Sequence, residues 1–452
     1  MVAEKDIIVA LELASTAIRA VAGRRMPDGS MQVLAYAEEN AANCIRKGII
    51  DNIDKTTQAI TRVIGQVGIQ LGHTVSRVYV GLGGQSLHSV HNRIQRTFSE
   101  KTQITNRLID QLMDTNLGVV YTDSVIMEVI PQEYKVGTRS IFDIVGMQVE
   151  QMDANFLNII ARTSLAENIE KCVRGAGLEI AELLITPLAL GDSILSAAEK
   201  RSGCALVDIG ADTTTVSVYT SNILRKLVVI PLGSNNVTLD VANCLTTEAD
   251  EAESLKLKYG RARLEDYDAV QGNILKISHS REVNEARLCE IVEARMEEIL
   301  RNVWAQIEDD SDKLTSGVVI TGGGAQMRNV PEAFQLVANN NKPIRMAKGY
   351  PADVAAKPDG IMTENGRTNS ILSLLLHGDQ NCISLATEQD PSPEEANDAP
   401  ANVTPAEDPT APAVSTDSQE KPDDENDVDN TKGGMSSAQK FWGIIKKALS
   451  DE

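Results

Sequence analysis

Two carboxylates in this chain stand in the same small setting. Glu12 ends an apolar run in DIIVALELASTAIRAV (6–21), and Asp208 does so in CALVDIGADTTTVSVY (204–219); each leads into a turn of small and hydroxyl residues before a second strand begins. Backbone N–H groups at such turns cradle phosphate oxygens, and a carboxylate beside them holds a hydrated Mg2+. The chemistry this points to is the binding of a nucleotide with its metal. Three glycines, Gly322, Gly323 and Gly324, follow the buried strand VVI and precede a helical stretch, where backbone can come close to a ligand. Most glycine triplets are only turns, so this one takes its meaning from the two acidic hairpins. Glu253 and Lys256 lie three apart on one helix face, a spacing that by itself favours an ordinary solvated ion pair over a pair placed at ribose and adenine. The five histidines, His73, His88, His91, His279 and His377, form no cluster, and no Ser/His/Asp or Cys/His arrangement can be assembled from the order of the residues.

Both carboxylates begin the same series of elements. A third strand follows each hairpin (31–37 and 224–230), then a helical stretch (56–70 and 236–245), so the order β-β-β-α occurs twice. Two such units facing each other make a clamp with both acidic turns in one cleft. A strand at 77–81 closes the first unit. From 85 to 162 the pattern changes to strands (124–136, 154–161) with a helix at 106–116, which indicates an inserted subdomain; a helix at 167–175 leads back. The stretch 249–307 reads as mostly helical, with apolar residues at 3.6 spacing in 283–304, and indicates a second insertion. Helices at 331–337 and 371–376 close the folded part. The resulting partition is a first lobe of 1–84 with 163–203 and 358–381, an insertion at 85–162, a second lobe of 204–237 with 313–357, and an insertion at 238–312.

At 452 residues the chain is long enough for several cores, and its net charge of −21 argues against a nucleic-acid partner. The charge is unevenly placed. Segment 388–432 holds fourteen acidic residues against two lysines, is rich in Pro, Ser and Thr and has no aromatic residue, so 382–434 is expected to be a disordered acidic tether. Cys44, Cys172, Cys204, Cys244, Cys289 and Cys382 are scattered without metal-ligand spacing and are expected to be reduced and buried. No basic and apolar leader or membrane-length apolar run is seen, so the cytosol is the expected compartment.

The segment 435–452 differs from everything before it. At about 100° per residue, Phe441, Trp442, Ile444, Ile445, Ala448 and Leu449 share one arc while Lys440, Lys446 and Lys447 fall outside it. An apolar Trp/Phe face flanked by lysines describes a helix lying in an anionic membrane surface. Docking on a protein surface is the alternative.

Taken together, these residues resemble the FtsA family, the actin-like bacterial cell-division proteins. Glu12 to Ser15 looks like the family's first phosphate motif, Asp208 to Thr214 its second, and Thr321 to Ala325 its adenosine motif. VIPQEY (129–134) is similar to a segment of the family's first inserted subdomain, and EAESLKLKYG with VEARMEEIL (292–300) to its second. The resemblance implies an α/β, bilobed actin/DnaK-like (ribonuclease H-like) fold with two inserted subdomains, the acidic tether and the amphipathic helix. It implies ATP and Mg2+ as ligands, with Glu12, Ala14, Ser15, Thr16, Asp208, Gly210, Thr213, Thr214, Gly233, Glu253, Lys256, Gly322, Gly323 and Gly324 at the nucleotide, and the metal at Asp208 and, through water, Glu12. It also implies self-assembly into filaments, capture of the FtsZ C-terminal peptide with Arg295 as a candidate contact, further division partners, and attachment to the cytoplasmic side of the inner membrane. The family usually has Gly at the positions of Ala14 and Asp212 and Lys near Ala17, so slow or absent ATP hydrolysis is expected. A sugar-kinase type phosphotransferase and a PilM-like pilus-assembly adaptor are the rival readings.

Overall fold

The computed structural model describes residues 7–384 except 267, 278–280, 340–341, 348–350 and 356–365; the expected tether beyond 384 and the terminal helix, including Phe441, Trp442, Ile444, Ile445, Lys446, Lys447 and Leu449, lie outside the described residues. The first repeat is a meander, β1 (Ile7–Leu13), β2 (Ala17–Arg25) and β3 (Met31–Asn40), followed by a small hairpin of β4 (Ile45–Arg46) and β5 (Ile49–Ile50), helix α1 (Ile53–Leu71) and strand β6 (Arg77–Leu82). Next come β7 (His88–Gln103), α2 (Asn106–Leu117), β8 (Ser124–Val136), β9 (Arg139–Ile141) and β10 (Gln148–Arg162). The chain returns through α3 (Thr163–Gly175), β11 (Glu179–Ile185), α4 (Thr186–Ile194) and α5 (Ala197–Ser202).

The second repeat is β12 (Cys204–Ile209), β13 (Thr214–Thr220), β14 (Ile223–Ile230) and α6 (Ser234–Leu245). Then follow α7 (Ala249–Tyr259), α8 (Asp268–Gln271), β15 (Ile274–Ile277), β16 (Arg281–Asn284) and the long α9 (Glu285–Ile307). The last elements are β17 (Val318–Thr321), α10 (Val330–Val337), β18 (Ile344–Met346), β19 (Val354–Ala355) and α11 (Asn369–His377). The antiparallel pair β15 and β16 interrupts the stretch 249–307, read as mostly helical from the sequence. Each strand has only four residues, too few for a period-2 pattern to stand out between helices.

The two repeats are built alike. In the first, β1 pairs antiparallel with β2 and parallel with β6; in the second, β12 pairs antiparallel with β13 and parallel with β17. Strands flanked on both sides by others and covered on both faces are apolar throughout. That is why IIVAL and CALV carry no alternation. The six-stranded sheet runs β11-β6-β1-β2-β3-β19, so β19, counted with the second lobe from the sequence, pairs instead with β3. The faces of β12 separate two cores: Cys204 and Leu206 pack into one, and Ala205, Val207 and Ile209 into the other. Period 2 therefore puts Asp208 on the Leu206 face.

The first insertion has its own core, which includes Leu112, Ile126, Tyr134, Met152 and Phe156. Its buried Asn116 and Asn158 exchange side-chain hydrogen bonds of 2.7 and 3.1 Å, so neither amide is left unpaired. The insertion's strands continue the second sheet, in the order β18-β17-β12-β13-β14-β7-β10-β8-β9, through a single paired position, Val228 with His88. Side chains reinforce that narrow seam. The Arg225 guanidinium grips both oxygens of Glu133 (2.7 and 2.5 Å) and the Gln132 carbonyl oxygen (2.8 Å), while Gln132 donates to the Leu224 carbonyl (3.1 Å). Bidentate Arg–carboxylate pairs are strong because the fork and the carboxylate match in geometry. Arg225→Ala and Glu133→Ala are each expected to cost about 1–3 kcal/mol, with the double variant losing less than the two combined. Fully additive losses in urea unfolding would mean the pair does not hold the seam.

Candidate functional site

The two acidic hairpins open into one cleft of about 570 Å3. On the first-lobe side it is lined by Glu12, Ala14, Ser15, Thr16 and Arg19; on the second-lobe side by Asp208, Gly210, Asp212 and Thr213; and along its edges by Glu253, Lys256, Gly322, Gly323 and Gly324. Each hairpin turn is closed by its own backbone: the Ala14 N–H donates to the Ala17 carbonyl (3.1 Å) and the Gly210 N–H to the Thr213 carbonyl (2.8 Å). Helix α6 is tied to the second turn, the Ser234 N–H donating to the Gly210 carbonyl and the Asn235 N–H to the Ala211 carbonyl.

Gly322 has to be glycine. Its φ is +94°, and a Cβ there would lie 2.3 Å from the Asp208 carboxylate and 2.5 Å from the Ile209 carbonyl. Gly324 packs as closely, 2.7 Å from Ile209 by the same measure. The parallel pairing of Asp208 with Thr321 produces this approach, so the glycine motif and the second carboxylate are one construction.

The carboxylates have different surroundings. Glu12 accepts from the buried Arg19 guanidinium at 2.8 Å, and Arg19 also reaches Glu38 at 3.3 Å. Burial works against the charge on Arg19, but Glu12 and Glu38 more than offset it and its pKa is raised. Asp208 forms no ion pair among the described residues. Burial, and then the negative charge of Glu12, push its pKa up to about 7. The paired carboxylates thus line one cleft within electrostatic reach of each other, and the charge of Glu12 adds to burial at Asp208.

Among the described residues no group of three or more His, Cys, Asp or Glu forms a metal cage. A hard cation held by Asp208, water and phosphate oxygens fits better. A half-buried carboxylate that resists ionisation is the donor such a cation restores, and Glu12 is within electrostatic reach. When bound, Mg2+ would neutralise phosphate charge there.

Glu253 and Lys256 are not a solvated pair. The Lys256 side chain is 4% exposed, bonds Glu253 at 2.6 Å and donates to the Thr238 hydroxyl (2.8 Å) and the Ser234 carbonyl (3.2 Å). Burial lowers its pKa despite the Glu253 charge. Leu257, 72% exposed, lies beside it and lines the same cleft with Met327, an apolar ledge suited to a base.

Two residues expected at the nucleotide are elsewhere. Thr214 is fully buried and donates to the Leu232 carbonyl at 2.8 Å, because strand alternation aims Thr213, Thr215 and Ser217 into the cleft and Thr214 away from it. Gly233 lies behind the second turn, where a Cβ would meet the Ala211 carbonyl at 2.4 Å. Arg19 was missed. It stands in β2 two residues after Ala17, a spacing that keeps strand side chains on the same face.

Arg295 stands in α9, but it is committed within the chain: it bonds both oxygens of Asp240 on α6 (2.5 and 3.1 Å) and Glu298 at 2.5 Å. Asp240 lies 55 positions away, so no local pattern pointed to it. A second cavity, of about 520 Å3, runs along a different face of α9 against α10, lined by Arg263, Glu293, Glu297, Arg301, Trp304 and Leu336. Cys244 is exposed, unlike the other five cysteines.

Two lobes of related topology around a cleft with paired carboxylates define the actin-like class of fold. Among solved structures, the PilM–PilN type IV pilus biogenesis complex is similar in fold, with a TM-score of 0.60 at 15% identity, covering 82% of this chain and 98% of that one. Residues 205–363 match the family model for cell division protein FtsA, and residues 84–160 match the model for the SHS2 domain inserted in FtsA. FtsA of Enterococcus faecalis is 31% identical over 347 residues, covering 75% of this chain and 78% of that protein. FtsA of Pseudomonas aeruginosa is 27% identical over 381 residues, covering 82% and 89%. The chain belongs to the FtsA family of cell-division proteins.

The raised pKa of Asp208 has a consequence for stability. An unfolded Asp releases its proton near 3.9, whereas the folded chain keeps it to about 7. Between those values the folded state holds a proton that the unfolded state has lost, so this group makes stability fall as pH rises from about 4 to about 7 and adds no further slope above that. Asp208→Asn removes this contribution. Without nucleotide or metal, the urea midpoint of the variant should exceed that of wild type by more at pH 8 than at pH 5; equal differences at both would refute the assignment.

Proposed function

We propose that this chain binds Mg-ATP in the cleft between its lobes and, as an FtsA-family protein, ties FtsZ filaments to the cytoplasmic face of the membrane at the division site. The observation that carries the nucleotide part is the meeting of Glu12 and Asp208 between two turns of small residues, with Gly322 and Gly324 packed against the second turn. The closed Glu253–Lys256–Thr238 cluster suits ribose hydroxyls. Glu12 is held by Arg19, Asp212 accepts from Lys47 and Asn235, and Asp208 is taken up as the metal's carboxylate, so none of these three acids is left free to act as a fast general base; hydrolysis should be slow. That also disfavours a phosphotransferase, which needs an acid poised over an acceptor hydroxyl. Calorimetry with Mg2+ and a non-hydrolysable ATP analogue should give heat with a dissociation constant below millimolar. No heat at millimolar analogue, or rapid steady phosphate release from ATP, would each count against this part.

Attachment is assigned to two surfaces. The FtsZ C-terminal peptide is placed on the groove between α9 of the second insertion and α10 of the second lobe, around Trp304 and Arg301, in preference to Arg295: the Arg295 fork is held by Asp240 in a half-buried pair, whereas Arg301 pairs with Glu297 of its own helix in an exposed pair that a peptide carboxylate can displace. Trp and Arg in a half-open groove are the residue types that carry binding energy in peptide recognition. The membrane contact is placed on 435–452. Three lysines contribute on the order of 1 kcal/mol each at an anionic surface, and an ordering cost on a short helix offsets part of the apolar gain. A single copy therefore binds weakly, and filaments of the chain, or many copies along one FtsZ polymer, bind strongly through tethering. Other division proteins would be recruited to that assembly. Co-sedimentation separates the two contacts: Trp442→Glu should lose anionic liposomes and keep FtsZ, while Arg301→Glu should keep liposomes and weaken FtsZ at least tenfold. The opposite pattern, or no effect of either change, would show that the contacts lie on other surfaces.

A further inference from the structure

Asp212 stands in the turn of the second hairpin, and its carboxylate is fully engaged within the cleft. One oxygen accepts from the backbone N–H of Lys47 in the first lobe at 3.0 Å, and the other accepts from the side-chain amide of Asn235 in the second lobe at 2.7 Å. The Lys47 contact is not incidental. Lys47 and Gly48 have φ of +52° and +71° and form the two-residue turn between β4 and β5, the pairing Arg46 with Ile49 closing it. The tip is wedged against Gly84: a Cβ on Gly48 would lie 2.6 Å from the Gly84 Cα, and one on Gly84 would lie 2.6 Å from the Gly48 carbonyl oxygen.

Held in this way, the turn presents two adjacent amides, one to each hairpin. The Gly48 N–H donates to the Ser15 hydroxyl at 3.0 Å and the Lys47 N–H to Asp212. A backbone N–H and a carboxamide converging on one anion, beside the start of α6, are the donors that bind a phosphate oxygen. Here a side-chain carboxylate takes them.

We propose that Asp212 is an internal occupant of the terminal-phosphate end of the cleft, so that this chain holds a nucleoside diphosphate more tightly than a triphosphate. The inference rests on the nucleotide reading above. A third phosphate must either share the space with a carboxylate, at the cost of like-charge repulsion, or displace it from Lys47 and Asn235 and so open the stitch between the lobes. Among the described residues lining the cleft, the buried cations Arg19 and Lys256 are already bound, Arg19 to Glu12 and Glu38 and Lys256 to Glu253, and do not offset that charge. A diphosphate ends short of the position and leaves the stitch closed.

The test compares Mg-ADP with Mg and the β,γ-imido analogue of ATP, by calorimetry on the full chain and on Asp212→Gly and Asp212→Asn. The asparagine variant keeps an acceptor for the Lys47 N–H and loses the charge; its NH2 then faces Asn235, whose side-chain amide can flip to present its oxygen, so this variant carries the test if the glycine variant melts much lower. Wild type should bind the diphosphate at least tenfold more tightly. Both variants should bring the ratio toward unity by improving triphosphate affinity, with diphosphate affinity moving less than threefold. A wild-type preference for the triphosphate, or a ratio unmoved in both variants, overturns the role of Asp212 while leaving nucleotide binding standing. Absence of heat with both nucleotides in all three proteins overturns the nucleotide reading itself and this inference with it.

Discussion

Everything in the cleft follows from how closely β12 and β17 approach at their ends. Their parallel pairing brings Asp208 level with Thr321, and the chain can turn away after Thr321 only because Gly322 accepts a left-handed φ with a carboxylate where its Cβ would be. A side chain there would push Asp208 out of the cleft or unpair the strand ends. The second hairpin is fixed from the other side by α6, whose first two amides bond its carbonyls. The carboxylate is thus held by backbone on both sides, which is how a charged group stays in place without an ion partner.

The two repeats have diverged in how they handle that charge. The first hairpin neutralises its carboxylate with Arg19, which is shared with Glu38, and Glu38 in turn accepts from the Tyr36 hydroxyl at 2.8 Å. The second leaves Asp208 without a cation and adds a second carboxylate, Asp212, four residues on. Desolvation acts on Asp208, and hydrogen bonding satisfies Asp212. One is therefore available to a metal, and the other already has donors.

What the sequence made legible was the repetition. β-β-β-α written twice, and one carboxylate at the end of each first strand, are local patterns, and local patterns survive into the structure because strand and helix periods are set within a few residues. Side-chain direction on β13 was legible too but was read only in part: Thr213, Thr215 and Ser217 alternate with Thr214, and a threonine run hides that alternation because every position looks alike. Long-range pairs were out of reach. Asp212 and Lys47 are 165 positions apart, Arg225 and Glu133 are 92 apart, and nothing near either partner names the other. The Lys–Gly turn at 47–48 is a weak signal by itself, and its wedging against Gly84 depends on a loop from another strand.

The first insertion interrupts the first lobe in sequence, yet its strands extend the sheet of the second. The junction is β14, and β14 is the neighbour of β13, whose first residues form the cleft wall. The path from the cleft to the insertion therefore runs through two paired strands, whose register shifts between Val218 and Tyr219 opposite Arg225, and then across the Arg225–Glu133 fork. A hydrogen-bonded strand pair is stiff along its length, so any rotation of the second lobe about the cleft carries the insertion with it unless the seam opens. The seam has one bridging backbone pair and a few side chains, and β14 against β13 has seven register partners. If the insertion moves independently, it moves there, and the strength of one arginine fork then sets how faithfully the state of the cleft is passed to that surface.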